Sequence, residues 1–176
     1  MQTKRNLFIL VGPPSIGKTS WVDDHHPDAY LVSRDDCVDT VRQPLGLRYS
    51  DMFSPQNLSR HRKDIDLLFK ENVKCALESD RDIVVDLTNM GVKARRRALG
   101  IIRGRETEFT KVAVVFDHRG KEKLVWESIQ RRAKRINDKF VPYGVLQDMF
   151  KRFEMPTNDE GFDRVVYAET TKAIGS

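Results

Sequence analysis

No apolar run in this sequence approaches the ~20 residues that a membrane-spanning helix requires, so a membrane protein is not expected. Cysteine is almost absent: Cys37 and Cys75 stand at neither metal-ligand nor redox-motif spacing. Free thiols in a reducing compartment are the simpler account, and a cytoplasmic location is expected. There is no internal repeat, low-complexity tract or linker. A secretory leader is not expected either, because the basic start and the run LFILV (residues 7–11) break at Gly12, Pro13 and Pro14, where an apolar leader core would continue. That run reads as a first strand. With 176 residues, 39% of them hydrophobic and 32% charged, one globular domain over residues 1–176 with a substantial core is expected.

Charge is present in excess and unevenly. The net charge is +5, and the cations gather in two places. One is Lys93, Arg95, Arg96 and Arg97 with Arg103 and Arg105; the other runs from Arg119 through Lys121, Lys123, Arg131, Arg132, Lys134 and Arg135 to Lys139. Such runs are commonly solvated helix faces, but their clustering also suits a polyanionic partner.

Residues 12–19, GPPSIGKT, fit the phosphate-loop pattern G-x-x-x-x-G-K-[ST] directly after the first strand. Gly12 and Gly17 let the backbone curl until successive N–H groups face phosphate oxygens. Lys18 reaches the outer phosphates, Thr19 offers a hydroxyl to Mg²⁺, and a helix beginning near Lys18 aims its positive end at the same anion. Gly12, Pro13, Pro14, Ser15, Ile16, Gly17, Lys18, Thr19 and Ser20 are therefore the expected ATP contacts.

Further along, Trp21 and Val22 continue a short helix ended by the polar stretch before Pro27, and His25 and His26 are expected as exposed loop residues. Residues 29–33 form a second strand ending at Arg34, Asp35 and Asp36. Ser54 and Pro55 open a long helix with an apolar stripe of Ile65, Leu68, Phe69, Val73, Ala76 and Leu77. Residues 83–88 form a buried strand with Asp86 near its end, and Asn89 is placed to cap the basic helix that follows. Residues 111–117 are another buried strand, ending in Asp117. Residues 121–136 read as a helix with Val125, Ile129, Ala133 and Ile136 inward. Arg131 and Arg135 project from the opposite side, ~200° around. A last amphipathic helix from Pro142 and a strand over 163–167 complete an α/β domain with a parallel sheet, whose ligands bind at the carboxyl ends of the strands. Lys18, Asp35, Asp86 and Asp117 all fall at or beyond such ends.

Phosphoryl transfer needs a held triphosphate and metal, an oriented acceptor hydroxyl and charge neutralisation. The loop serves the first need. Asp35 or Asp36 can accept the hydroxyl proton, Asp35 being preferred and Asp36 read as a helix cap. Arg131 and Arg135 can close over the phosphates from a lid at about residues 119–140. Asp86 is expected to act through the metal's waters or Thr19.

In order, GPPSIGKT, SRDD (33–36), DLTN (86–89) with Arg95 and Arg96, VFD (115–117), RRAKR (131–135) and VPYGVLQDMFKRF (141–153) resemble the phage-type polynucleotide 5′-hydroxyl kinase domain over nearly the whole chain. The resemblance implies a P-loop three-layer fold with strand order 2-3-1-4-5 and a helical lid, standing alone without a further catalytic domain. It implies ATP and Mg²⁺ as cofactors, Lys18 and Thr19 as nucleotide contacts, Asp35 as general base and Arg131 and Arg135 as lid arginines. Two departures stand out. The family usually has Gly-Ser where this chain has Ser15 and Ile16, and it commonly has an acceptor-binding arginine at the position of Val38. Arg42, one turn beyond Val38, is placed to reach the same site, so Arg34, Asp35 and Arg42 are the expected acceptor-binding residues, with Arg132 as an alternative to Arg131.

Three functions follow. One is an ATP-dependent kinase of a nucleic-acid 5′-hydroxyl end; another is a kinase of a small hydroxylated molecule. The third is a nucleotide-binding switch that transfers nothing. No membrane and no obligate protein partner are implied.

Overall fold

The computed structural model describes residues 3–135 and 139–169. Five strands, β1 (Arg5–Val11), β2 (Tyr30–Ser33), β3 (Ile83–Asp86), β4 (Phe109–Val115) and β5 (Arg164–Tyr167), form one sheet in the order β2-β3-β1-β4-β5, with every adjacent pair parallel. Among the described residues six α-helices accompany them: α1 (Lys18–His25), α2 (Arg34–Arg42), α3 (Pro55–Glu78), α4 (Val92–Leu99), α5 (Glu122–Arg135) and α6 (Tyr143–Lys151). None is long and apolar enough to cross a membrane.

The alternation of side chains along a strand divides the core into two layers. Leu7, Ile9 and Val11 of β1 pack with Val85, Ala76 of α3 and Ala98 of α4 on one face. Phe8 and Leu10 pack with Val22 of α1, Val125 and Ile129 of α5 and Leu146 of α6 on the other. Because both faces are covered, the central strands are apolar throughout, as a parallel sheet requires. Helix α3 begins as its sequence demands: Ser54 accepts from Asn57 N at 3.3 Å with proline in the first turn.

Strand order decides which ends meet. β1, β3 and β2 are neighbours and Ser33 is level with Asp86, so the carboxyl ends bearing the loop, Asp86 and Asp35 lie side by side. β4 lies on the other flank of β1. Asp117, two residues beyond the end of β4, is engaged by Arg119, whose Nη2 approaches to 2.6 Å, and it does not line the cleft.

Four expectations change. Asn89 does not cap α4; Gly91 occupies that position, while Asn89 is buried with φ 47° and donates to Leu10 O at 2.8 Å. Asp36 does not cap α2 either, because Ser33 Oγ accepts from Asp36 N. His25 belongs to α1 and stacks on Trp21, and His26 packs on Phe8 at 4.1 Å between ring centroids. Arg95, assigned to a basic surface run, is fully buried.

Candidate active site

The phosphate loop is built by close approach. A Cβ on Gly12 would meet Ile16 Cδ1 at 2.8 Å and Phe116 Cβ at 2.9 Å, so the bend over the end of β1 admits glycine alone. Gly17 turns with φ 88° into the first residue of α1. Ser15, where the resembled family has glycine, takes φ 60°, a left-handed conformation costly for an L-residue. The loop thus holds a path that glycine would follow freely. Ser128 Oγ of α5 donates to Ser15 O at 2.9 Å, and Gly12 N donates to Thr88 O at 2.9 Å.

Pro14, Ser15, Gly17, Lys18, Thr19 and Ser20 line a cleft of about 880 Å³ with Arg34, Asp35, Asp36, Asp86, Arg132 and Lys139. Gly12, Pro13 and Ile16 instead form its buried support. Lys18 is itself buried, its Nζ donating to Gly12 O at 2.9 Å and Leu87 O at 3.4 Å. Burial lowers its pKa, opposed by the charges of Asp86 and Asp35. Thr19 Oγ1 donates to Asp86 Oδ2 at 3.4 Å. Burial raises the Asp86 pKa, opposed by Lys18. The low-dielectric setting that shifts both groups also strengthens their action on a charged ligand.

Asp35 stands across the cleft on the first turn of α2. Its Oδ1 accepts from Tyr49 Oη at 2.7 Å, and its Oδ2 lies 3.8 Å from Lys139 Nζ. Asp36 lines the same cleft with its pKa raised by burial. Arg34 pairs with Asp66 of α3 at 2.6 Å. Tyr49 carried no sequence signal, since it reaches Asp35 from a segment without a motif, and Lys139 was marked only as the end of the second basic run and part of the expected lid.

The acceptor role given to Arg42 is not supported. Its Nε lies 2.5 Å from Asp39 Oδ1 and its Nη1 donates to Leu47 O at 3.1 Å, so it is buried and does not line the cleft. Val38, at the family's arginine position, packs with Cys37, Met52 and Ile65. Arg131 is exposed and does not line the cleft, whereas Arg132 does. The reason is helix phase. Arg132 lies ~60° from the buried seam at Ile129, and Arg131 lies ~200° from it. The side chain of Arg135 lies outside the described residues.

The donor set fits the nucleotide and ion expected from the sequence. The cradle around Gly12 leaves room for no side chain, and Thr19 and Asp86 present hard oxygens of the kind Mg²⁺ prefers.

Solved structures of similar fold include a protein of Chloroflexus aurantiacus j-10-fl provisionally described as a kinase (TM-score 0.63, 17% identity, covering 97% of this chain and 88% of that one). A structure of the PezAT chromosomal toxin-antitoxin system of Streptococcus pneumoniae matches with TM-score 0.62 and 12% identity over 94% of this chain and 67% of that one. A gluconokinase from Sinorhizobium meliloti 1021 matches with TM-score 0.53 and 15% identity over 98% and 87%. These likenesses show the P-loop kinase fold. In sequence, the chain is 25% identical over 170 residues to the mouse (Mus musculus) heterogeneous nuclear ribonucleoprotein U-like protein 2, covering 94% of this chain and 22% of that protein's length. Residues 7–156, which hold the phosphate loop, most of β1, strands β2 to β4 and the helices α1 to α6, match the AAA domain family, and the chain belongs to that family.

Proposed function

We propose that this chain is an ATP-dependent phosphotransferase with an alcohol acceptor. The observation that carries the proposal is the meeting of Lys18, the Thr19 and Asp86 pair, and Asp35 in one cleft beside the phosphate loop. The acceptor oxygen forms a bond to the γ-phosphorus, the bond from that phosphorus to the β,γ-bridging oxygen breaks, and ADP leaves. The acceptor's proton passes to Asp35. Lys18 balances charge on the outer phosphates, and Arg132 faces the same region from α5. Thr19 and Asp86 would hold Mg²⁺, which when bound supplies charge neutralisation on the phosphates.

For the acceptor, a small hydroxylated molecule is the better supported class. Part of the basic clustering that suggested a polyanion is engaged within the fold: Arg95 by Glu160, Arg105 by Glu108, Arg119 by Asp117 and Lys139 by Asp39. The cleft volume also suits a nucleotide with a small acceptor, and the gluconokinase of similar fold is named for such a substrate. A nucleic-acid 5′-hydroxyl end is the second reading. Arg62 and Arg97, both exposed and lining the cleft, favour it.

The test is label transfer from γ-labelled ATP to gluconate, uridine, and 5′-hydroxyl RNA and DNA oligonucleotides, side by side. Transfer to an oligonucleotide that falls steeply with salt would favour the second reading. Hydrolysis or binding without transfer to any alcohol would leave the switch reading standing. Asp35→Asn is expected to keep ATP affinity and lose transfer by on the order of 10²–10⁴-fold, with Asp36→Asn milder.

A further inference from the structure

We infer that Tyr49 is a positioning residue that fixes the Asp35 carboxylate for proton acceptance, an inference that rests on the reading of Asp35 as the base. Asp35 is the second residue of α2 and its side chain is 57% exposed. An exposed aspartate on a first helical turn is free to turn about two bonds, and a base must instead meet its proton within a few tenths of an ångström and a narrow range of angle. What removes that freedom comes from outside α2. Tyr49 Oη donates to Oδ1 at 2.7 Å, which leaves Oδ2 as the oxygen available to an acceptor hydroxyl.

Tyr49 is suited to the task because it is anchored. Its ring lies 5.0 Å from that of Phe53 and packs against the small core of Cys37, Val38, Met52 and Ile65. The phenol stays a donor: burial first, then the charge of Asp35, raises its pKa well above the ordinary tyrosine range. Lys139 completes the arrangement. Its Nζ sits 5.2 Å from the Tyr49 ring centroid and 3.2 Å from Asp39 Oδ2, closer than its 3.8 Å approach to Asp35 Oδ2. The ammonium is thus drawn toward Asp39, and Oδ2 of Asp35 is left without a tight ion pair.

Tyr49→Phe removes one oxygen and keeps the ring. In the full chain, with γ-labelled ATP and the same acceptor panel, kcat is expected to fall on the order of ten- to a hundredfold. The Kd for ATP, the acceptor KM and the melting temperature should stay near wild type. Adding Tyr49→Phe to Asp35→Asn should cost nothing more, since Tyr49 acts through that carboxylate. A tyrosine that only braces the fold would instead lower the melting temperature and reduce the residual rate of Asp35→Asn by its own full factor, and that result would overturn the inference. So would wild-type kcat in a folded Tyr49→Phe protein. Full transfer by Asp35→Asn is a different failure: it removes the base itself, and the proposed mechanism with it.

Discussion

Ser128 Oγ, on the helix that carries Arg132, donates to the carbonyl of Ser15 in the phosphate loop at 2.9 Å. Ser15 is the loop residue held at φ 60°, so the bond braces the backbone where its conformation is least favourable. It also ties α5 to the loop it faces. Ser128→Ala should lower stability by about 1 kcal/mol, the ordinary worth of one such bond, and weaken ATP affinity several-fold. Thermal melting and calorimetric titration with ATP measure the two effects. Unchanged affinity would mean that the loop keeps its shape without α5.

Lys18→Ala should reduce turnover by at least about 10²–10³-fold and leave a folded protein. Among the described residues its ammonium bonds only main-chain oxygens of Gly12 and Leu87, and its burial opposes its charge, so little of the fold depends on it. A folded Lys18→Ala protein with near-normal turnover would end the phosphotransferase proposal.

The loop and its strand were legible because spacing and residue type jointly specify their geometry, and the long helix from Ser54 was legible because its cap and stripe are local. The strand order came from the resemblance; periodicity identified strands but not neighbours. Arg95 was misread for a physical reason: a guanidinium within a basic helical run looks solvated until the distant Glu160 is known to meet it. Arg131 and Arg132 are adjacent in sequence yet ~100° apart on the helix, so a small error of phase exchanges their roles. Asn89 resembled a cap because asparagine commonly is one; its left-handed backbone and its bond to Leu10 O depend on tertiary packing.

Arg132 is expected to act on the transferred group and Arg131 is not. Arg132→Ala should lower kcat by on the order of 10²-fold with a smaller change in ATP affinity, since charge on the migrating phosphoryl is met most strongly in the transition state. Arg132→Lys should rescue poorly because the planar fork is lost. Arg131→Ala should stay within about twofold of wild type, as an exposed side chain away from the cleft. Steady-state kinetics of the three variants check the assignment, and a reversed order would place Arg131 over the phosphates.

Stability should fall as pH drops below about 6.5, the ordinary histidine value. His118 is 5% exposed with Nδ1 3.0 Å from Phe116 O, and burial lowers its pKa. Below the unfolded value the unfolded chain binds a proton that the folded chain resists, so stability rises with pH through the window between the two values and is complete above it. His26, also lowered by burial, adds to the same slope. The discriminating quantity is therefore a difference: urea unfolding of wild type and His118→Gln from pH 5 to 8 should show a shallower dependence in the variant. Parallel curves would place the proton uptake elsewhere.

Arg95 should prove the most costly single truncation outside the main apolar core. It is 0% exposed, its Nε and Nη2 each bond the Glu160 carboxylate at 2.8 Å, and its Nη1 donates to Asn89 O at 3.0 Å and Met90 O at 3.1 Å. Burial opposes the charge of Glu160, and the pair with Arg95 overcomes this to hold the carboxyl below its usual range. Arg95→Ala leaves the largely buried Glu160 carboxylate with the Thr157 N–H at 3.2 Å but no cation, and takes the guanidinium donor from Asn89 O, while Met90 O keeps Glu154 N at 2.9 Å. The expected loss is about 3–5 kcal/mol in urea unfolding. Arg95→Met with Glu160→Met removes both charges and should recover much of the loss, because an apolar pair of similar volume is often as stable as the ion pair it replaces. Transfer activity separates the two roles of Arg95. The double variant restores packing but not the bonds to Asn89 O and Met90 O, and Asn89 is the residue whose Nδ2 holds Leu10 O just below the phosphate loop. A double variant that is stable yet has weakened ATP binding would show that Arg95 positions the loop through Asn89. A stable double variant with full activity would confine Arg95 to the fold.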